Sequence, residues 1–225
     1  MWTTVRFTVA PNRTVVQIAR MPIVLPLLQT DRPDRPERAD AAENRRRVLA
    51  AACRLFADHG VANVSMDQVA AQAGVGKGTL FRRFGDRAGL ARAVISEHES
   101  ELQEALIRGA PPVGPGAPAR ERLLAFGRAY LEFLEGNADT LLAAEYGATP
   151  AMRQASAPYA FYRTHVTLLL REAGCGDRAD YLADVLLSPL SSATFKYHRE
   201  LRGLSLEELV DAYGDLVGRL LDSPR

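Results

Sequence analysis

Between residues 77 and 87 the chain carries Lys77, Thr79, Arg82, Arg83 and Arg87, side chains that donate hydrogen bonds to phosphate oxygens and base edges. Leu80 and Phe84 fall at i and i+4 among them, so a helix over Lys77–Phe84 turns those two inward and leaves Thr79, Arg82 and Arg83 outward. Gly78 brings no side chain, which lets backbone approach a ligand closely. This is the chemistry of non-covalent recognition. Signs of covalent chemistry are weak: His59, His98, His165 and His198 sit on four separate segments, and there is no Gly-x-Ser-x-Gly, phosphate loop or His-Glu-x-x-His. His165 with Glu145 is an acid–base pairing that nothing in the sequence brings together. Cys53 and Cys175 form no Cys-x-x-Cys, which argues against a zinc site or a disulfide framework, and no cofactor is expected.

The elements that must hold the cations are read from short-range signals. Ser65-x-x-Gln68 predicts a capping box opening a helix, with Val69, Ala70 and Ala73 on its inner face. Gly74 at C′ closes that helix with a positive φ and starts a tight turn into Lys77–Phe84. An earlier helix from about Ala42 to His59 carries the apolar stripe Val48, Leu49, Ala52, Leu55 and Phe56, and Gly60 ends it. The result is a three-helix domain over 41–87 whose residues 65–84 read as a helix-turn-helix, the layout that places one helix in the major groove.

Charge placement agrees. Glu43–Arg92 holds nine basic and four acidic residues, a net of +5, while the chain from Ala93 onward holds 13 basic and 19 acidic, a net of −6, in a protein of net charge +1. A basic head on an acidic body suits a molecule that meets phosphate at one end. Residues 1–40 are expected to be a disordered extension: the apolar run Ile18–Leu28 is cut by Pro22 and Pro26, and Asp31–Arg38 is a charged, proline-punctuated linker. No stretch suits a signal peptide or a membrane span.

The ordered strings Arg47-Val-Leu-Ala-Ala-Ala-Cys-Arg-Leu-Phe-Ala-Asp-His-Gly60, Ser65-Met-Asp-Gln-Val-Ala-Ala-Gln-Ala-Gly-Val75 and Gly78-Thr-Leu-Phe-Arg-Arg-Phe-Gly-Asp-Arg87 resemble the N-terminal domain of the TetR family of bacterial transcriptional regulators. The resemblance implies an all-α protein with a helix-turn-helix DNA-binding domain followed by a helical ligand-binding and dimerisation domain over 88–225. It implies a cytoplasmic homodimeric repressor that a small-molecule effector releases from a double-stranded operator. Arg45, Lys77, Gly78, Thr79, Phe81, Arg82, Arg83 and Arg87 become the DNA-binding candidates. Thr79, Arg82 and Arg83 would reach base edges or adjacent phosphates, and Arg45, Lys77 and Arg87 would hold the backbone. Two positions depart from the family. Phe81 stands where a phosphate-touching tyrosine is usual, and Gly76 stands where serine or threonine usually caps the recognition helix.

The body reads as helices over about 90–108, 119–135, 138–146, 150–173, 178–201 and 206–221, with a Pro- and Gly-rich break at 111–118 and a second capping box at Ser205–Glu208. By the same resemblance, Tyr130, Glu145, Tyr146, Tyr159, Tyr162 and His165 are candidates to line an effector cavity. The last two helices are expected to form the dimer interface, through Leu182, Val185, Leu186, Leu190 and Ala193 and through Leu209, Tyr213, Leu216 and Leu220. Two other readings stay open: a helical adaptor without specific DNA binding, marked by a flat salt response, and an all-helical enzyme, marked by turnover.

Overall fold

The computed structural model describes residues 35–145 and 149–222, and every regular element among them is helical. The unit that carries the sites spans Ala39–Arg225. Helix α1 (Arg35–His59) buries the expected stripe, with Val48, Leu49, Ala52, Leu55 and Phe56 all in the core. It begins at Arg35 rather than near Ala42. Pro36 falls in the first turn, where helix N–H groups have no intrahelical partner, so a proline does not stop it. Residues 35–40 of the expected disordered extension are therefore helical, and residues 1–34 of it lie outside the described residues.

A 3-10 turn (Val61–Asn63) leads to α2 (Met66–Ala73), α3 (Lys77–Phe84) and α4 (Arg87–Arg108). Asp86 caps α4 by accepting from the Gly89 N–H at 2.7 Å. Helix α5 (Ala119–Ala144) runs unbroken where two helices are expected. Gly136 costs only about 1 kcal/mol of helix propensity, while Leu134, Ala138 and Leu141 continue one buried stripe past it.

The opposite error occurs further on. One expected helix is two, α6 (Pro150–Gln154) and α7 (Ala157–Glu172), because Ser156 accepts from the Tyr159 N–H and starts a new helix with Pro158 in its first turn. The expected helix over 178–201 is divided into α8 (Ala179–Leu187), a 3-10 turn (Ser188–Leu190), α9 (Ser192–Lys196) and a π turn (Tyr197–Leu201). Pro189 has no N–H to continue α8, and the Ser191 hydroxyl recaps the chain by accepting from the Thr194 N–H at 3.1 Å. Last comes α10 (Leu206–Asp222), opened by the Ser205–Glu208 capping box.

Helix α10 lies against α5, and at Gly127 the fit is tight enough that a Cβ would fall 2.1 Å from the Tyr213 ring. Tyr213, Leu186 and Leu190, expected on the intersubunit face, are instead buried in their own chain. Leu182, Val185, Leu209, Leu216 and Leu220 are half-buried and Ala193 is exposed. The face expected for a partner is thus partly consumed within the chain, by the packing of α10 on α5 and of α8 on α7.

Candidate nucleic-acid interface

The turn that aims α3 is built from backbone. Ser65 and Gln68 form both halves of the capping box: the Ser65 N–H donates to the Gln68 side chain at 2.8 Å, and the Gln68 N–H donates to Ser65 Oγ at 3.2 Å. Gly74 takes the left-handed conformation (φ 64°), and its N–H donates to the carbonyls of Ala70 and Ala71. A side chain there would be strained, since L-residues avoid that region. Arg47 of α1 adds a clamp, donating to the Gly74 carbonyl at 3.2 Å and to Asn44 Oδ1 at 2.9 Å.

Helix α3 is held by Leu80 and Phe84, which are 1% and 9% exposed. Lys77, Gly78, Thr79, Phe81, Arg82 and Arg83 are all exposed on the rest of the helix. No side chain caps its N-terminus, because Gly76 occupies the N-cap position. The cations on this surface differ in how they are held. Lys77 Nζ pairs with Asp67 Oδ2 at 2.7 Å and lies 5.9 Å from the Phe81 ring centroid. Arg83 donates to the Ala41 carbonyl at 2.8 Å, and Arg87 to the Ala62 carbonyl at 2.5 Å. Arg45 is half-buried, its guanidinium 5.9 Å from the Phe84 ring centroid. Arg82 has no hydrogen bond or ion pair among the described residues. It is an exposed guanidinium at the C-terminal half of a helix pinned from the other side.

The residue types alone treat Arg82 and Arg83 as equivalents and leave Arg47 and Asp67 without roles. A lysine and an aspartate ten positions apart meet only once the turn is built, so no periodicity exposes the pair.

The effector candidates separate into two groups. Tyr130 and Tyr162 are buried and pack edge-to-face at 4.9 Å, with Phe126 against both. Burial pushes the Tyr130 hydroxyl up to about 12 and the Tyr162 hydroxyl higher still, so both stay neutral. His165 lies beside Phe126 and stacks on Phe161. Glu145 and Tyr159 are joined by Arg153, whose Nε is 3.3 Å from Glu145 Oε1 and whose guanidinium is 5.3 Å from the Tyr159 ring centroid; Arg153 also interacts with the Tyr130 hydroxyl, so Tyr130 borders both groups. Ser192 donates to Glu145 at 2.9 Å, and the Tyr159 hydroxyl donates to Asp184 at 3.0 Å. Glu145 and His165 are thus held in different networks. Tyr146 lies outside the described residues.

A groove of about 260 Å³ opens where the end of α4, the 109–118 connection, the start of α5 and α7 meet, and of the six candidates only His165 lines it. Arg122, which carries no sequence signal beyond being a cation on a helix, lines it too. Among the described residues no helix is long and apolar enough to cross a membrane, and no cluster of His, Cys, Asp or Glu suits a metal ion.

Residues 48–94 match the model for bacterial regulatory proteins of the tetR family. A helix-turn-helix-type transcriptional regulator of Staphylococcus aureus (strain USA300) is 30% identical over 81% of this chain and 98% of its own length. The solved structure of a TetR-family transcriptional regulator from Pectobacterium atrosepticum superposes with a TM-score of 0.63 at 28% identity, over 84% of this chain and 99% of that one. A transcriptional regulator of Saccharomonospora viridis, solved in complex with choline, shares the fold at 20% identity and a TM-score of 0.60, over 79% and 96% of the two chains. With its helix-turn-helix and its exposed cationic α3, the chain belongs to the tetR family of bacterial regulatory proteins and is a DNA-binding transcriptional regulator.

Proposed function

We propose that this regulator is a homodimeric cytoplasmic repressor that reads its operator with α3 and leaves it when a small molecule occupies the helical body. The observation that carries the reading is the division of labour on α3: Leu80 and Phe84 are sunk in the core, while Arg82 stands exposed and without a partner among the described residues. In this reading Arg82 reaches a guanine edge, where a bidentate contact contributes about 1–3 kcal/mol of discrimination. Thr79 and Gly78 come close to the bases. Lys77, Arg83, Arg87 and Arg45 position the head through phosphate contacts or through the carbonyl bonds that fix their elements. Phe81 supplies apolar contact in place of a phenolic hydroxyl.

Effector release requires that the ligand prefer a conformation whose two heads no longer match the operator spacing, since a ligand with equal affinity for both forms shifts nothing. The choline held by the Saccharomonospora viridis protein supports small-molecule binding by this fold. A partner subunit is supported by large apolar side chains left exposed late in the chain, Tyr181, Tyr197 and Leu201 at 74%, 50% and 79%. Two heads double the number of base pairs read.

Fluorescence anisotropy on duplexes from the region upstream of the gene itself, against scrambled duplexes and across a salt series, tests the reading. Tight binding to one duplex with a steep salt slope is expected. Equal, weak binding to all duplexes with a flat slope would favour the adaptor.

A further inference from the structure

We propose that the groove between the end of α4, the start of α5 and α7 is a site for a small apolar carboxylate, held by Arg122 and His165. The inference rests on the effector-release reading above and adds the chemical class of the ligand.

The walls of the groove are apolar. Ile107 of α4, Pro115 of the connection, and Phe161 and Leu168 of α7 line it, and Ile107 and Leu168 are 49% and 57% exposed. Its volume of about 260 Å³ lies just below the range of roughly 300–1,000 Å³ typical of drug-sized ligands, so the occupant is small. Two of its lining residues contribute the polar atoms that matter. Arg122 Nε and His165 Nε2 are both buried, and neither has a hydrogen-bond partner among the described residues. Leaving such a group buried and unpaired costs free energy that an incoming partner recovers.

The chemistry of that partner follows from the two atoms. Arg122 Nε only donates, so it needs an oxygen acceptor, and a guanidinium prefers a carboxylate. His165 is held neutral, pushed down to about 4 by burial and then by the positive charge of Arg122. One positive charge therefore faces the groove at neutral pH, which matches a monoanion and leaves a dianion half unpaired. Thr164 stands at the rim, but its hydroxyl already donates to the Ala160 carbonyl at 2.8 Å and has no proton left for a carboxylate. The carboxylate sits on Arg122 with His165 Nε2–H donating to it, and the hydrocarbon part lies along Phe161 and Leu168. Several cations of the body are already matched by acids, as with Arg120 and Asp222, Arg128 and Glu207, and Arg199 and Glu135. Arg122 differs from these in having no acid beside it.

The test is calorimetric titration of the full-length protein with octanoate and with octan-1-ol, which share a chain and differ in the carboxylate. Octanoate is expected to bind at least tenfold more tightly than the alcohol, and Arg122→Gln to abolish that difference while leaving the alcohol unchanged. In the unsubstituted protein, octanoate should also move the imidazole proton signals of His165 in an NMR titration, which keeps the test independent of how the variant folds. Equal affinity for acid and alcohol, no binding of octanoate, or binding that leaves the His165 signals unmoved would overturn the proposal. Operator anisotropy run in parallel separates the two levels. Octanoate that binds without lowering operator affinity would sustain the site and contradict effector release through it. Intact operator binding with no octanoate binding would sink the carboxylate site alone.

Discussion

The head and the body hold their cations differently. In the body, Arg120, Arg128, Arg163, Lys196 and Arg199 each pair with a carboxylate from another helix, at 2.6, 2.9, 2.9, 2.5 and 2.6 Å. In the head, Lys77 pairs with Asp67 and Arg46 with Glu43, but Arg47, Arg83 and Arg87 bond to backbone carbonyls, and Arg82 bonds to nothing among the described residues. A carbonyl fixes a guanidinium without cancelling its charge, whereas a carboxylate does both. The same residue type therefore tethers helices in one region and keeps a positive surface in the other. In the body, Arg122 is left without an acid among the described residues, and its Nε is buried without a hydrogen-bond partner.

Changes that remove the platform rather than the charge should have the largest effect. Leu80→Ala takes away a side chain that is 1% exposed, and unfolding free energy should drop by about 2–5 kcal/mol in urea denaturation. Binding to operator and scrambled duplexes should weaken together. An unchanged denaturation midpoint would show that α3 is not part of the cooperative core.

A smaller effect is expected at Glu99 in the body, where burial first and the Glu145 carboxylate second push the Glu99 carboxyl up to about 7, against a partial offset from Arg153. The folded value lies above the unfolded one of 4.5, so this group stabilises the fold fully below pH 4.5 and loses that contribution as pH rises through 7. Glu99→Gln should therefore raise stability at pH 8 by roughly 1 kcal/mol after allowance for solvent screening, and leave it unchanged at pH 4. A variant that is less stable at pH 8 would mean Glu99 has a cationic partner.

The smallest change concerns Asp67, the acid that pairs with Lys77 on the recognition helix. Asp67→Asn frees Lys77, and because exposed pairs are worth about 0–1 kcal/mol, DNA affinity should rise by no more than about fivefold, equally on operator and scrambled duplexes, with a steeper salt slope. A gain confined to the operator would move Lys77 from phosphate to base contact.

The parts of the molecule that sequence exposes are those decided within four residues. Ser65 with Gln68 and Ser205 with Glu208 mark two helix starts, Gly74 marks the turn, and the stripe through Val48 and Phe56 marks α1. The outward set on α3 follows from the inward pair Leu80 and Phe84. What stays hidden is decided at long range or by competition between weak signals. Gly136 reads as a break, yet the buried stripe of α5 overrides it, whereas Ser156 and Pro189 interrupt helices that apolar periodicity would continue. The dimer face is misjudged at Leu186, Leu190 and Tyr213 because periodicity shows that a face is apolar but not which neighbour covers it. The groove depends on Arg122 and His165 meeting across two helices, which no local pattern records.

In the proposed function Arg82 reads bases while the other cations position the head. The most direct measurement is Arg82→Ala in parallel anisotropy titrations on the operator and on a scrambled duplex at one salt concentration. A loss of about 1–3 kcal/mol, roughly 5- to 150-fold, is expected on the operator, with the scrambled duplex nearly unchanged. An equal loss on both duplexes would contradict it and make Arg82 one more phosphate contact.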